Sequence, residues 1–314
     1  MSERLRLAFF GSPAYALPSL DRLAREHDVV LAVTQPDAPA GRGLALRPPP
    51  VAARASELDL PLAQPARIRR DDAFYARFAD LAPDVAVTVA YGQILPQRLL
   101  DVPRHGFLNA HASLLPAWRG AAPVQWALIH GDRTTGVTVM QTEAGLDTGP
   151  IRHVLRTDIA PGETARELFA RLAELSADAL SEALQALARD RLPSRPQDDD
   201  AATLAPLLRK EDGDVRWQED ARRVVDRWRG VVVWPGSRFR HAERPVRADV
   251  LELAASDARR GRPGEVLAVD EAGIEVACGT GSIRLVRVTP PGKAAMPAAD
   301  WARGARLAKG DRLA

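Results

Sequence analysis

Apolar positions in the first part of the chain alternate between strand-like runs and helix-like spacing. Residues 5–10 form an apolar run that ends at Gly11-Ser-Pro, residues 17–23 repeat at helical spacing, and residues 29–34 are again apolar and β-branched. This order predicts a β-α-β unit. Further elements continue the alternation: strands at 85–89, 106–111 and 136–141, and helices at 71–81 and 123–130. The pattern predicts an α/β fold with a Rossmann-like, mostly parallel sheet.

A long amphipathic helix is predicted at 164–187, where Thr164 is the expected N-cap and Glu167 completes a capping box. Residues 190–207 follow with three prolines, an acidic run and little apolar periodicity, which is typical of a linker. We therefore expect a catalytic domain at 1–189, a linker at 190–207 and a second domain at 208–314.

The last third of the chain has the pattern of a small domain of antiparallel strands. A short helix is predicted at 221–231. The segment Gly279-Thr-Gly-Ser282 is interpreted as a hairpin connection, because it lacks the lysine and the helix that follow a phosphate-binding loop. Apolar runs bounded by turn residues predict strands near 246–253, 264–269, 273–277 and 283–288. We expect a small, OB-like β-barrel.

Composition narrows the class of protein. A chain of 314 residues with 27% charged residues and one cysteine, Cys278, is typical of a globular protein without internal disulfides. No apolar run approaches the roughly 20 residues that cross a bilayer, and the first residues lack the apolar core of a signal peptide, so a cytoplasmic protein is expected. The six histidines show no metal-ligand spacing, and Gly11-Ser-Pro lacks the glycine pattern of dinucleotide sites, so neither a metal nor NAD is expected.

Charge is distributed unevenly along the chain. Residues 1–207 carry 22 basic and 25 acidic side chains, whereas residues 208–314 carry 21 and 16. A basic second domain favours a polyanionic partner such as nucleic acid. An excess of this size also occurs on solvated surfaces that bind no nucleic acid, so charge alone leaves both interpretations open.

Three polar side chains suit one kind of reaction. Asn109 and His111 lie two residues apart on a predicted strand and project from the same face, and Asp147 lies within Gly145-Leu-Asp-Thr-Gly149. An amide N–H stabilises negative charge on a carbonyl oxygen, while an imidazole and a carboxylate transfer protons, so the trio favours acyl transfer. Each residue also has a structural interpretation: Asn109 and Asp147 as turn residues, and His111 as a buried hydrogen-bonded group.

Several longer sequence motifs occur in both predicted domains. In the first domain they are Gln35-Pro-Asp, Pro39-Ala-Gly-Arg-Gly43, Ala90-Tyr-Gly-Gln-Ile-Leu-Pro96, Asn109-Ala-His-Ala-Ser-Leu-Leu-Pro116, Trp118-Arg-Gly-Ala-Ala-Pro123, Gly131-Asp132, Thr135-Gly-Val137 and Gly145-Leu-Asp-Thr-Gly149. In the second domain they are Lys210-Glu-Asp, Trp234-Pro-Gly236, Pro263-Gly264 and Gly292-Lys293. With these segments the chain resembles, nearly end to end, the methionyl-tRNA formyltransferases within the folate-dependent formyltransferase family.

The resemblance implies transfer of a formyl group from 10-formyltetrahydrofolate to the α-amino group of methionine on initiator methionyl-tRNA, in translation initiation. It implies that Asn109 bonds the formyl oxygen, and that His111 stabilises the tetrahedral intermediate or moves a proton. Asp147 would set the protonation of His111 and assist deprotonation of the attacking amine. The implied donor site is lined by Ser113, Leu114, Leu115 and Pro116.

The sequence indicates the reaction more clearly than it indicates the molecule that receives the formyl group. The resemblance places Arg42 in a loop that contacts the acceptor arm of the tRNA, and a monomer is expected. Further candidate phosphate contacts are Arg209, Lys210, Arg244, Arg247 and Lys293. Trp228 and Trp234 are interpreted as core residues rather than base-stacking groups. Two alternatives stay open: a sugar-nucleotide N-formyltransferase with the same donor, and a noncatalytic RNA-binding protein on the same scaffold.

Overall fold

The computed structural model describes residues 4–40 and 45–314. The predicted tRNA contact Arg42 lies outside the described residues. As far as they are described, the residues divide into two compact units. The first contains Met1–Pro123, Thr134–Asp158 and Phe169–Ala205, and the second contains Val124–Arg133, Ile159–Leu168 and Pro206–Ala314.

Helices account for much of both units. In chain order they are α1 (Leu17–Glu26), α2 (Pro50–Glu57), α3 (Asp72–Leu81), α4 (Gln97–Leu100), α5 (Pro123–His130), α6 (Ala165–Leu187), α7 (Ala221–Val231) and α8 (Ala298–Ala305). The predicted capping box of α6 is present, because the carboxylate of Glu167 accepts hydrogen bonds from the backbone N–H and the hydroxyl of Thr164, each at 2.8 Å. Helix α3 begins where the carboxylate of Asp71 accepts from the N–H of Phe74.

Among residues 4–40 and 45–205, the first unit contains nine strands. They are β1 (Arg6–Gly11), β2 (Asp28–Val33), β3 (Ala38–Ala40), β4 (Ala45–Arg47), β5 (Leu62–Ala63), β6 (Val85–Val89), β7 (Phe107–His111), β8 (Thr134–Gln141) and β9 (Ile151–Asp158). Strands β3 and β4 pair with each other, and the other seven form one sheet in the order β5-β2-β1-β6-β7-β8-β9. This arrangement confirms the predicted α/β class.

The sheet is parallel from β5 to β7 and antiparallel from β7 to β9. Strand β6 is buried at every position, as expected of a central parallel strand, and Phe10, Phe78 and Phe107 pack edge to face or tilted beside it. Because β8 runs against β7, the loop after β8 starts beside Phe107, where the N–H of Thr142 donates to the carbonyl of Phe107. That loop returns Asp147 to the side chains of Asn109 and His111.

The second unit is built on antiparallel strands, as predicted. They are β10 (Ser237–His241), β11 (Arg244–Ala255), β12 (Val266–Asp270), β13 (Gly273–Ala277), β14 (Ser282–Thr289) and β15 (Met296–Pro297), and they pair in the order β10-β11-β14-β13-β12 with β15 beside β14. Ala277 faces Ser282 across β13 and β14, which confirms the predicted hairpin connection. Ala314 bonds to Arg240 beside β10, and Leu313 bonds to Gly264 before β12, so the last residues contact both ends of the ladder.

The segment expected as a linker packs against the first unit. Arg195 pairs with Ile151 and Leu204 with Arg119 as isolated bridges, and the first unit extends to Ala205. The division into a catalytic domain, a linker and a second domain stays a prediction. Within residues 4–40 and 45–314, no helix has both the length and the apolar character that crossing a membrane requires.

Candidate active site

Asn109 lies near the end of β7, and its side-chain amide has a defined orientation. The hydroxyl of Thr88, on the neighbouring strand β6, donates to Oδ1 of Asn109 at 3.0 Å. Nδ2 of Asn109 therefore points away from β6, toward Oδ1 of Asp147 at 3.5 Å. Thr88 is buried and Asn109 is half-buried, so the amide is held from the buried side while part of the residue stays exposed. This is the orientation in which an amide offers N–H donors to a reacting carbonyl oxygen.

His111 is buried, and its two ring nitrogens have different partners. Nε2 lies 2.9 Å from the carbonyl oxygen of Trp118, which only accepts hydrogen bonds, so Nε2 carries a hydrogen. In the neutral ring Nδ1 is then an acceptor, and it lies 3.6 Å from Oδ2 of Asp147. This separation is longer than a hydrogen bond, so the imidazole and the carboxylate are neighbours rather than bonded partners. Side chains of these two kinds, placed side by side, are suited to proton transfer.

Asp147 is held in a turn that keeps its carboxylate near β7. Its backbone is left-handed, with φ of 53°, a conformation that aspartate adopts more readily than most residues. Oδ2 accepts from the N–H of Gly120 at 2.9 Å, in addition to facing His111. A Cβ at Gly149 would collide with the backbone oxygen of Gln141, so the turn also requires glycine there.

The loop that contains residues 116–122 contributes two backbone groups that the sequence analysis missed. The carbonyl of Trp118 binds His111, and the N–H of Gly120 binds Asp147. The φ of Trp118 is 64° and that of Gly120 is 126°, so two positive values lie close together in the loop. The sequence points to Trp118-Arg-Gly only through the family resemblance. Backbone contacts of this kind have no sequence signal of their own.

The predicted donor-binding residues differ in what they offer to a ligand. Ser113 is fully buried, and its hydroxyl donates to the carbonyl of Ala117 at 2.6 Å. Leu115 is buried, whereas Leu114 and Pro116 are half-buried. A cavity of about 490 Å³ is lined by Leu114, Leu115, Ile151, Val154, Arg156, Arg195 and Pro196. Leu114 and Leu115 thus line a cavity, while Ser113 supports the fold of the segment.

The predicted phosphate contacts of the second unit are all exposed: Arg209, Lys210, Arg244, Arg247 and Lys293. Two of them, Arg247 and Lys293, line a cavity of about 310 Å³ together with Arg238 and the loops at Pro235–Gly236 and Pro290–Gly292. Trp228 packs against the core of the unit, as predicted. The prediction was wrong for Trp234, of which 47% is exposed.

Potential metal ligands do not cluster: within the described part of the chain, no group of three or more His, Cys, Asp or Glu side chains is arranged to hold a metal ion.

Comparisons with known proteins identify relatives of both units. The family model described as formyl transferase matches residues 5–184, and the model described as formyl transferase, C-terminal domain, matches residues 207–306. A protein of Deinococcus radiodurans named methionyl-tRNA formyltransferase is 50% identical over 308 residues, which are 98% of this chain and 95% of that one. The protein of the same name from Thermus thermophilus is 47% identical over 98% of this chain and 99% of its own.

Among solved structures, an N-formyltransferase of Helicobacter canadensis in complex with folinic acid and dTDP-3-aminofucose superposes with a TM-score of 0.69. It is 13% identical, and the match covers 90% of this chain and 98% of that one. At this identity the likeness shows a shared fold and nothing about the substrate.

Proposed function

The chain belongs to the formyl transferase family, and from that membership we propose that it transfers a formyl group to the α-amino group of methionine on initiator methionyl-tRNA. The side chains of Asn109, His111 and Asp147 lie close together, and this arrangement supports formyl transfer as the type of reaction. The choice of substrate rests on relatives of that name that are 47–50% identical across 98% of the chain, in both units. The activity belongs to translation initiation, and we expect a monomer that acts in the cytoplasm.

We propose 10-formyltetrahydrofolate as the donor, which supplies the formyl group from its N10 nitrogen. The side chains present fit a formyl donor, because a fixed N–H donor lies beside a pair that accepts a proton. The proposed donor-binding segment consists of Ser113, Leu114, Leu115 and Pro116. Leu114 and Pro116 would contribute surface, and the buried Ser113 would hold the segment in place.

Asn109 is the proposed hydrogen-bond donor to the formyl oxygen, where negative charge develops when the amine attacks. Its Nδ2 is oriented for this role because Thr88 fixes the opposite end of the amide. Donors that are oriented before the reaction stabilise the developing charge without reorganisation, and removing one such donor typically costs a factor of about 10² to 10³ in turnover.

His111 and Asp147 are the proposed acceptor of the proton that the α-amine loses. An α-amino group has a pKa near 8, so a large fraction is protonated at neutral pH, and a base is needed to generate the nucleophile. The carboxylate of Asp147 lies between the amide of Asn109, the N–H of Gly120 and Nδ1 of His111, so its orientation is fixed by three partners. Nδ1 of His111 lies 3.6 Å from that carboxylate, while Nε2 is bonded to the carbonyl of Trp118.

For the tRNA, we propose phosphate contacts by Arg42 and by the five exposed basic residues of the second unit named above. Exposed arginine and lysine bind the backbone of nucleic acids without sequence preference, and binding through several of them weakens steeply with salt. We therefore expect binding of initiator methionyl-tRNA to weaken when salt rises from 50 to about 200 mM.

The test is formylation by the purified protein with 10-formyltetrahydrofolate, in parallel reactions with initiator methionyl-tRNA and with an amino-sugar nucleotide. Formylated methionyl-tRNA alone is the expected result, and Asn109→Ala is the control that removes the amide while leaving the tRNA-binding residues intact. Product only from the sugar nucleotide would overturn the tRNA assignment and favour the sugar-nucleotide alternative. Binding of tRNA without any product would favour the noncatalytic alternative.

A further inference from the structure

Residues 197–205, which we call the brace segment, contact both loops that hold the catalytic side chains. The backbone of Thr203 and Ala205 bonds to the loop at 116–122: the N–H of Arg119 donates to Thr203 at 2.8 Å, and the N–H of Ala205 donates to Arg119 at 2.8 Å. The side chain of Gln197 contacts the loop of Asp147. The composition of this segment predicts a linker, yet these contacts give it a place within the site.

The side-chain amide of Gln197 makes four hydrogen bonds: its nitrogen donates to backbone carbonyls, and its oxygen accepts from a guanidinium. Nε2 donates to the backbone oxygens of Asp147 and Gly149, both at 2.8 Å. Oε1 accepts from Nε and Nη2 of Arg119, at 3.0 and 2.8 Å. Carbonyls only accept and a guanidinium only donates, so the amide has a single possible orientation. One side chain thus ties the Asp147 turn to the loop that supplies Gly120.

Arg119 fixes Gln197 in turn. Its side chain is 8% exposed, and it also pairs with Asp199 of the brace segment at 2.7 Å. A buried guanidinium keeps its position only if its donors are satisfied, and Gln197 and Asp199 provide three of the contacts. The backbone of Arg119 separates the two residues that bind His111 and Asp147, because Trp118 precedes it and Gly120 follows it.

We propose that Gln197 is a positioning residue of the active site, which sets the distance between Asp147 and His111 by holding the Asp147 turn to Arg119. This inference rests on the proposed formyl transfer for its kinetic consequence. The left-handed Asp147 needs support from outside its own turn, and Gln197 binds the backbone on both sides of Thr148. Without these two donors the turn is free to move, and a shift near 1 Å costs as much as about 10²-fold in rate.

The variant Gln197→Met removes all four hydrogen bonds and keeps the length of the side chain. We expect kcat for formylation of methionyl-tRNA to fall about ten- to hundredfold, with KM changed much less. Gln185→Met is the matched control, because Gln185 is a half-buried glutamine of α6 in the same unit, and its side chain donates to the hydroxyl of Ser181, away from the catalytic loops. If Gln197→Met does not fold, Gln197→Glu keeps the acceptor for Arg119, lacks the two donors, and should show the same loss.

A double-mutant cycle distinguishes a positioning role of Gln197 from a general loss of native structure in the variant. If Gln197 acts through Asp147, then Gln197→Met in an Asp147→Asn background should change kcat by no more than about twofold, whereas independent effects would multiply. A full further loss in that background would overturn the proposal. So would a kcat of Gln197→Met equal to that of Gln185→Met.

Hydrogen exchange provides a readout that needs no substrate. Backbone amides at 142–149 should exchange at least about tenfold faster in Gln197→Met than in Gln185→Met, because the turn loses its external bonds. Equal exchange in the two variants would refute the proposal. An inactive wild-type protein would instead refute the proposed function, and the exchange experiment would still decide whether Gln197 holds the turn.

Discussion

Gly120→Ala tests whether the close packing of the brace segment determines catalysis. Gly120 has a φ of 126°, and a Cβ there would lie 2.7 Å from the carbonyl oxygen of Ala205. An ordinary contact begins at 3.4 Å, so the backbones must separate by about 0.7 Å. The positive φ alone costs about 1–3 kcal/mol for a residue with a side chain. Because the N–H of Gly120 binds Asp147, the same displacement should reach the carboxylate.

We therefore expect Gly120→Ala to fold with reduced stability and to lose about ten- to hundredfold in kcat, measured under saturating substrate. Gly162→Ala is the control, because Gly162 also has a positive φ, of 79°, but a Cβ there meets nothing within 4 Å. Urea unfolding should show a loss of stability in both variants, and only Gly120→Ala should lose turnover. A Gly120→Ala enzyme with wild-type kcat would show that the contact with Ala205 does not control the position of Asp147.

Three further predictions concern single side chains. His111→Ala should lower turnover by about 10²-fold or more, which is a typical loss for a proton-transfer group, and should leave the circular dichroism spectrum unchanged. Near-normal turnover would refute the proposed role of His111. Thr88→Val removes the hydrogen bond that orients Asn109, which is worth about 0.5–1.5 kcal/mol, so kcat should fall about two- to tenfold. Thr88→Ser keeps the hydroxyl and should keep kcat near the wild-type value. Burial raises the pKa of the Cys278 thiol to about 12, so the native protein should resist alkylation by iodoacetamide at pH 8. The urea-unfolded protein should take up one equivalent, measured by mass spectrometry. Alkylation of the native protein would contradict this prediction.

Much of the fold was predictable because it depends on local periodicity. Strand β6 and helix α7 lie where the sequence places them, since each has an apolar pattern and clear ends. Strand β9 was missed because it lies at the edge of the sheet, with polar residues such as Arg152 and Arg156 among its apolar ones. Helix α8 was missed because it has only eight residues and three of its four buried residues are alanines, which also occur on helix surfaces.

The candidate site was predictable only in part. Asn109 and His111 share a strand face, so period-2 alternation brings them together. The contacts of Asp147 come from a turn that returns along β7 and could not be inferred from spacing. Arg119, Gly120 and Gln197 act through contacts between residues that are 27 to 80 positions apart, and such contacts have no local pattern. The low hydrophobicity of 190–207 correctly indicates an irregular segment, but it does not show what the segment touches.

The reaction and the choice of substrate depend on different parts of the molecule, so different experiments test them. A fold alone does not determine the acceptor, because one scaffold can carry sites for different substrates. The trio of Asn109, His111 and Asp147 is a property of the first unit alone and suits any primary amine as nucleophile. Acceptor choice must therefore arise from surfaces outside the trio. If exposed arginines and lysines bind the tRNA backbone, raising the salt concentration should raise KM for methionyl-tRNA and leave kcat at saturation nearly unchanged, whereas loss of Gln197 should lower kcat at every salt concentration.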